Sequence, residues 1–197
     1  MNKTILIASH NQNKVVEFKN ILPEFTFITL RDLNDNEDFN ETGDSFETNS
    51  YDKAWYYYQK YQIPTLADDS GLEIVALNNE PGIYSKRYSG FGDHENNLLV
   101  LEKLNNITNR DARFRCVLTF VYNKDSIIQF EGTIEGEISQ EIQGDEGFGY
   151  DPIFMIKNEN KTLAELGKTY KNKHSHRAKV LQAFKDYIEK HENTYYK

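Results

Sequence analysis

The sequence has a single cysteine, Cys116, so no internal disulfide and no thiolate-based zinc site can form, and a reducing, intracellular setting is expected. No apolar run approaches the roughly 20 residues of a membrane span, and the N-terminal "ILIA" is too short for the hydrophobic region of a signal peptide. Positive charge is also in deficit: 23 Lys and Arg against 31 Asp and Glu leave a formal charge of −8. At long range such a chain repels nucleic acid and anionic membrane, so neither is an expected partner, and an anionic ligand needs a local basic pocket. There is no glycine-rich phosphate loop ending in Gly-Lys-Ser/Thr, no internal repeat and no low-complexity tract. The expected location is cytoplasmic.

What the chain does have is enough apolar material to fold. Hydrophobic residues make up 38%, including 12 Phe and 13 Tyr, so the polar average reflects a charged, Asn-rich surface. A length of 197 residues suits one domain spanning 1–197, made of two lobes with no separable linker.

Periodicity predicts a strand at "KTILIA", a loop at "SHNQNK", and a helix at "KVVEFKNIL" with Val15, Phe18, Ile21 and Leu22 on one side. A second strand, "FTFITL", leads into a long acidic loop from Arg31 to Ser45, whose length favours a function. A helix from Ser45 to about Tyr61 places Phe46, Ser50, Ala54, Tyr58 and Tyr61 on one face and Asn49 with Lys53 on another. Strands follow at 64–68 and 71–77, separated by a turn at "ADDSG", then a Pro81-Gly82 turn and a helix from Asp93 to Leu104. Two longer strands, 112–122 and 126–139, flank "NKDS"; in the first, Ala112, Phe114, Cys116, Leu118 and Phe120 share a face. The chain closes with a strand ending near "YDPIFMI", a basic loop, and a helix from about Ser175 to Lys190. The predicted class is α/β, a mixed central sheet with flanking helices, and if there are two lobes a cleft lies between them, where ligand pockets often form.

Several segments carry chemistry-bearing residues, and on their own each has two readings. "SHNQNK" is either a polar turn capping a helix or an anion site at a helix start, with Ser9, Asn11 and Lys14 as donors. Glu41, Asn49 and Lys53 in "ETGDSFETNSYDKA" are either solvated or placed to meet a metal and a phosphate. Asp68 and Asp69 are either exposed turn residues or a hard-cation site, one carboxylate holding metal while the other deprotonates water. "GFGYDPIF" is either a tight bend or a cradle for a flat ligand, with Phe148 and Tyr150 stacking and Asp151 accepting ring N–H groups. The last helix holds a conflict: His176 and Arg177 occupy a first turn whose dipole opposes cations, which an anionic ligand would resolve, with Lys171 and Lys173 in the loop before it.

Taken together and in order, "SHNQNK", "ETGDSFETNSYDKA", "ADDSGLEIVALNNEPGIYSKRYSG", "GFGYDPIF" and "KNKHSHRAKVL" resemble the motifs of the Ham1/RdgB inosine triphosphate pyrophosphatase family over almost the whole chain. The resemblance implies an ITPase-like fold of the Maf/Ham1 type with two lobes around a nucleotide-binding cleft, a Mg²⁺-dependent hydrolase that splits non-canonical purine nucleoside triphosphates (ITP, dITP, XTP, dXTP) into monophosphate and pyrophosphate, and a homodimer. It implies that Ser9, Asn11, Lys14 and Lys53 bind the triphosphate and that His10, Gln12, Asn13 and Ser70 are among the substrate-binding residues. Phe148, Gly149, Tyr150 and Asp151 then form the base loop, and Lys171, His176 and Arg177 recognise the base. Asp69 is the implied general base, sharing metal ligation with Glu41 and Asp68. The sequence departs from the family pattern at Asn40-Glu41, where two acidic residues often precede Thr-Gly, at Ser50 and at Lys86. A Maf-like pyrophosphatase acting on modified pyrimidine nucleotides and a non-catalytic nucleotide sensor remain the alternatives.

Overall fold

The computed structural model describes residues 4–191. The chain is α/β, with a mixed sheet and helices packed against it. In chain order the elements are β1 (Thr4–Ile7), α1 (Gln12–Ile21), β2 (Thr26–Thr29), α2 (Phe46–Tyr61), β3 (Thr65–Ile74), β4 (Glu80–Pro81) and α3 (Asp93–Lys103). They continue with β5 (Asp111–Asn123), β6 (Ser126–Ile138), β7 (Phe154–Ile156), β8 (Lys161–Thr162), α4 (Leu163–His174) and α5 (His176–Lys190). The strand order is β2-β1-β3-β5-β6-β7-β8, with β4 also pairing to β3. β1 runs parallel to β2 and β3, whereas β6–β7 and β7–β8 are antiparallel.

Two compact units divide the chain. The first takes residues up to Asp69, Cys116–Gly132 and the chain from Arg177 onward. Its strands alternate between two apolar layers, as a pleated strand buried on both faces must. Ile5, Ile7 and Leu66 pack with α1 and α5 through Val15, Phe18, Val180 and Phe184. Leu6, Ala8 and Ala67 pack on the other face with Ala54 and Tyr57 of α2. Cys116 is buried in the first of these layers, as its strand pattern predicts. The second unit takes Ser70–Arg115 and Thr133–His176, and its core joins Leu72, Ile74, Val100, Phe114, Ile138, Tyr150, Phe154 and Leu163.

The structure corrects four sequence expectations. Asp68 to Gly71 form no turn: β3 runs unbroken for 10 residues, nearly all buried, because the carboxylates find cations inside the protein. On α2 the buried residues are Phe46, Asn49, Ser50, Lys53, Ala54 and Tyr57, a stripe spaced by three and four; Asn49 and Lys53 belong to it, and Tyr57 replaces Tyr58. α1 begins at Gln12 rather than Lys14, because the Asn11 side chain accepts from the Asn13 and Lys14 amides and caps the helix there. Lys171 and Lys173 lie on α4, not in a loop; Thr162 and Glu165 make a reciprocal capping box that starts this helix.

Candidate active site

The alternation of β3 decides what its two aspartates do. Asp68 follows the parity of Leu66 and faces the layer of α1 and α5; Asp69 follows Ala67 and faces α2. The pair is therefore split between opposite faces of one strand.

On the α1/α5 face, Asp68 Oδ2 lies 3.0 Å from Lys14 Nζ and accepts from Arg177 Nη2 at 3.0 Å and Nε at 3.3 Å. The Cys116 thiol sits 3.7 Å from the same oxygen. Burial would raise the Asp68 carboxyl, but Lys14, Arg177 and Lys53 outweigh it and hold the group far below the usual carboxylate range. Arg177 also donates from Nη1 to Glu17 Oε2 at 2.6 Å, and its guanidinium is 2% exposed. The cation conflict in the first turn of α5 is thus resolved from within, by Asp68 and Glu17. Glu17 escapes sequence reading because its partner is 160 residues away.

On the α2 face, Asn49 Nδ2 donates to Asp69 Oδ2 at 3.0 Å while Asn49 Oδ1 accepts the Gly43 N–H at 2.8 Å. The amide is held at both ends, so it fixes the Asp69 carboxylate and the Glu41–Gly43 bend together. A Cβ at Gly43 would lie 2.7 Å from Asn49 Oδ1, and glycine allows that close approach. Lys53 Nζ donates to Glu41 Oε1 at 2.5 Å and to the Asp68 carbonyl at 2.7 Å. Burial raises the Asp69 carboxyl, Lys53 opposes this, and Glu41 adds to it, for a net upward shift. Burial would lower the Lys53 ammonium, yet Glu41, Asp68 and Asp69 outweigh it and raise the group. Asn49 shares a helix face with Lys53 in the sequence, at i and i+4, but nothing local shows that it reaches Asp69.

Among the described residues no three His, Cys, Asp or Glu side chains are grouped to hold a metal. The expected Glu41, Asp68 and Asp69 set is therefore not assembled, because strand alternation turns Asp68 away and gives it to Lys14 and Arg177. Glu41 and Asp69 remain as two mutually repelling carboxylates on one side. That donor set fits Mg²⁺, which binds through one or two carboxylates and keeps waters and substrate oxygens as its other ligands.

The remaining residues of the "SHNQNK" loop have simpler roles in the structure. Ser9 Oγ accepts the Asn11 N–H at 3.2 Å, and His10 Nε2 lies 3.0 Å from the Glu37 carbonyl, tying this loop to the acidic one. Gln12 and Asn13 are exposed on the first turn of α1.

In the second unit, Ser70 is half-buried on β3. Asp151 is buried, and its Oδ2 accepts from Lys171 Nζ at 2.6 Å and from the Phe148 N–H at 2.8 Å. Its carboxylate, expected to face a ligand, is instead the knot that shapes the loop. Lys171 Nζ also stands 4.4 Å from the centroid of the half-buried Phe148 ring. Gly147 has a φ of +88°, and a Cβ there would run into the Asp151 carboxylate, so this bend requires glycine. Tyr150 is buried and donates to the Ser85 carbonyl at 2.8 Å, so it supports the loop rather than stacking on a ligand. His176 packs its ring against Phe114, centroids 4.9 Å apart.

The family model for the Ham1 family matches residues 5–187. A protein of Acholeplasma laidlawii named dITP/XTP pyrophosphatase is 42% identical over 181 residues, covering 91% of this chain and 90% of that one. One of the same name from Staphylococcus aureus (strain Mu50) is 41% identical over 193 residues, covering 97% and 99%. The solved structure of the Staphylococcus aureus Ham1 protein superposes with a TM-score of 0.87 at 41% identity, over 95% of this chain and 98% of that one. With that coverage and identity, the chain belongs to the Ham1 family.

Proposed function

We propose that the protein hydrolyses non-canonical purine nucleoside triphosphates, ITP and dITP, XTP and dXTP, between the α and β phosphates. The products are the monophosphate and pyrophosphate, and the role is to cleanse the nucleotide pool. The observation that carries this reading is Asp69: a buried carboxylate oriented by Asn49 and beside Lys53, in a chain related over 91% of its length to a protein named dITP/XTP pyrophosphatase.

The residues divide the work. Asp69 accepts a proton from the attacking water, a role that a buried carboxylate held in one orientation can fill. Asn49 keeps the accepting oxygen in one orientation. A triphosphate brings about four negative charges into an acidic protein, so hydrolysis depends on positioned cations more than on covalent chemistry. Lys14, held at 3.0 Å by Asp68, and Lys53, held by Glu41, are paired and in place before substrate arrives, which limits the reorganisation needed at the moment of reaction. Glu41 and Asp69 would hold Mg²⁺, which when bound would supply further neutralisation of phosphate charge and a more acidic water. Phe148 offers a ring to a flat base. A site that donates to a 6-oxo group would leave its donors unpaired against the amino group of adenine, and on that basis ATP would be rejected.

A homodimer and a cytoplasmic location complete the reading. The single cysteine is buried and forms no disulfide, and among the described residues no helix is long and apolar enough to cross a membrane. The test is turnover of ITP, XTP, ATP, GTP, dUTP and dTTP with and without Mg²⁺, with the products identified. Preference for dUTP or dTTP would favour a Maf-like activity, and tight ITP binding without turnover would favour a sensor.

A further inference from the structure

Phe148 can serve as a stacking surface only if the backbone on both sides of it is fixed. Its own N–H is held by Asp151 Oδ2 at 2.8 Å. The next N–H, that of Gly149, donates to Asp93 Oδ2 at 2.8 Å, and the Gly149 carbonyl accepts from Asn97 Nδ2 at 3.0 Å. Asp93 and Asn97 stand four residues apart on α3, one turn along the same face, so a single helix grips both ends of Gly149. Gly149 has a φ of +62°, a conformation glycine adopts without strain but does not hold by itself. Asn97 is 3% exposed, and its Oδ1 has no hydrogen-bond partner among the described residues. Asn97 carries the cost of that buried acceptor while its Nδ2 makes the bond to Gly149, a bond that an apolar residue of similar size could not make.

We infer that Asp93 and Asn97 are positioning residues for the purine: by clamping Gly149 from α3 they fix the Phe148 ring in the orientation that meets the base. This rests on the nucleotide reading above and adds two residues that no motif of the sequence marks. The clamp acts on the base and leaves the phosphate set untouched, so its loss is read in KM rather than in kcat.

The test compares Asp93→Ala, Asp93→Asn, Asn97→Leu, Phe148→Ala and the Asp93→Ala/Phe148→Ala double variant. Each is assayed by pyrophosphate release from ITP, with inorganic tripolyphosphate as a competitor that probes the phosphate set alone. Asp93 is exposed, so its variants fold. Expected are a rise of about tenfold in KM for Asp93→Ala, kcat within about threefold, and an unchanged inhibition constant for tripolyphosphate. Asp93→Asn keeps an oxygen for the Gly149 N–H and restores KM, whereas a role for the helix-end charge alone would not be restored. The double variant shows no further rise beyond Phe148→Ala. The clamp is overturned if Phe148→Ala raises KM while Asp93→Ala and Asn97→Leu do not, or if tripolyphosphate inhibition weakens in parallel. If Phe148→Ala itself leaves KM unchanged, the base-loop reading falls first and the clamp with it.

Discussion

Replacing Asn49 by Asp exchanges one amide nitrogen for an oxygen at a site 1% exposed, so packing hardly changes while the chemistry inverts. The new carboxylate still accepts the Gly43 N–H, now at 2.8 Å, but it faces Asp69 across what was a 3.0 Å hydrogen bond. A hydrogen bond to a charged group contributes about 1.5–3 kcal/mol, and tenfold in rate corresponds to 1.36 kcal/mol, so losing this one alone lowers kcat roughly 10- to 150-fold. Like-charge repulsion across the same gap adds to the loss. Asn49→Ala is the companion: it loses both bonds and leaves a cavity, so it should melt lower while keeping more of the Asp69 charge environment. The assay is initial-rate pyrophosphate release from ITP, kcat and KM measured separately, alongside thermal unfolding. Asn49→Asp should fall in kcat with KM within about threefold. If it retains kcat within about twofold, Asn49 does not orient a catalytic carboxylate and the assignment of Asp69 loses its main geometric support.

Other outcomes follow from the same geometry. Asp69→Asn keeps the shape but cannot take a proton, and should lose about 100-fold or more of kcat with ITP binding retained; near-normal turnover would remove Asp69 from the mechanism. Chelation of divalent cations should abolish ITP turnover and Mg²⁺ should restore it; full activity in chelator would refute the metal. Lys171→Met leaves the Asp151 carboxylate buried without its ammonium, a change that costs about 3–5 kcal/mol and lowers the melting temperature by roughly 10 °C, so an unchanged melting curve would contradict the buried pair. Burial would raise the Asp35 carboxyl, but bonds from Tyr61, Lys60 and the Glu37 N–H lower it from 3.8 to about 2. Its contribution to stability is therefore present above pH 3.8 and is lost as pH falls towards 2. Asp35→Asn should melt lower than the parent at pH 6, and the gap should close on acidification; a gap independent of pH would refute the assignment.

Sequence patterns reached some levels of this structure and not others. Strict alternation made β5 and β6 readable to within a residue or two, and a short apolar run followed by polar residues and an amphipathic helix located β1 and α1. Composition misled at "ADDSG", because Asp, Ser and Gly are turn residues and only distant cations let them sit inside a strand. Once that segment is a strand, the division of Asp68 from Asp69 follows from its parity alone. α4 was hidden by Gly167, which breaks its helical geometry at a φ of +74°, although Thr162 and Glu165 carried the signal of its start. The cation conflict at Arg177 was visible in sequence, but its resolution lay 109 residues away in Asp68, beyond any local pattern.

The central claim is an activity on the α–β phosphoanhydride of 6-oxopurine nucleotides, and product identification tests it most directly. Purified protein incubated with ITP and, separately, ATP in Mg²⁺ should convert ITP to IMP and pyrophosphate in equal amounts, with ATP turned over at least about 100-fold more slowly. Orthophosphate as the first product, or equal rates with the two nucleotides, would contradict the account.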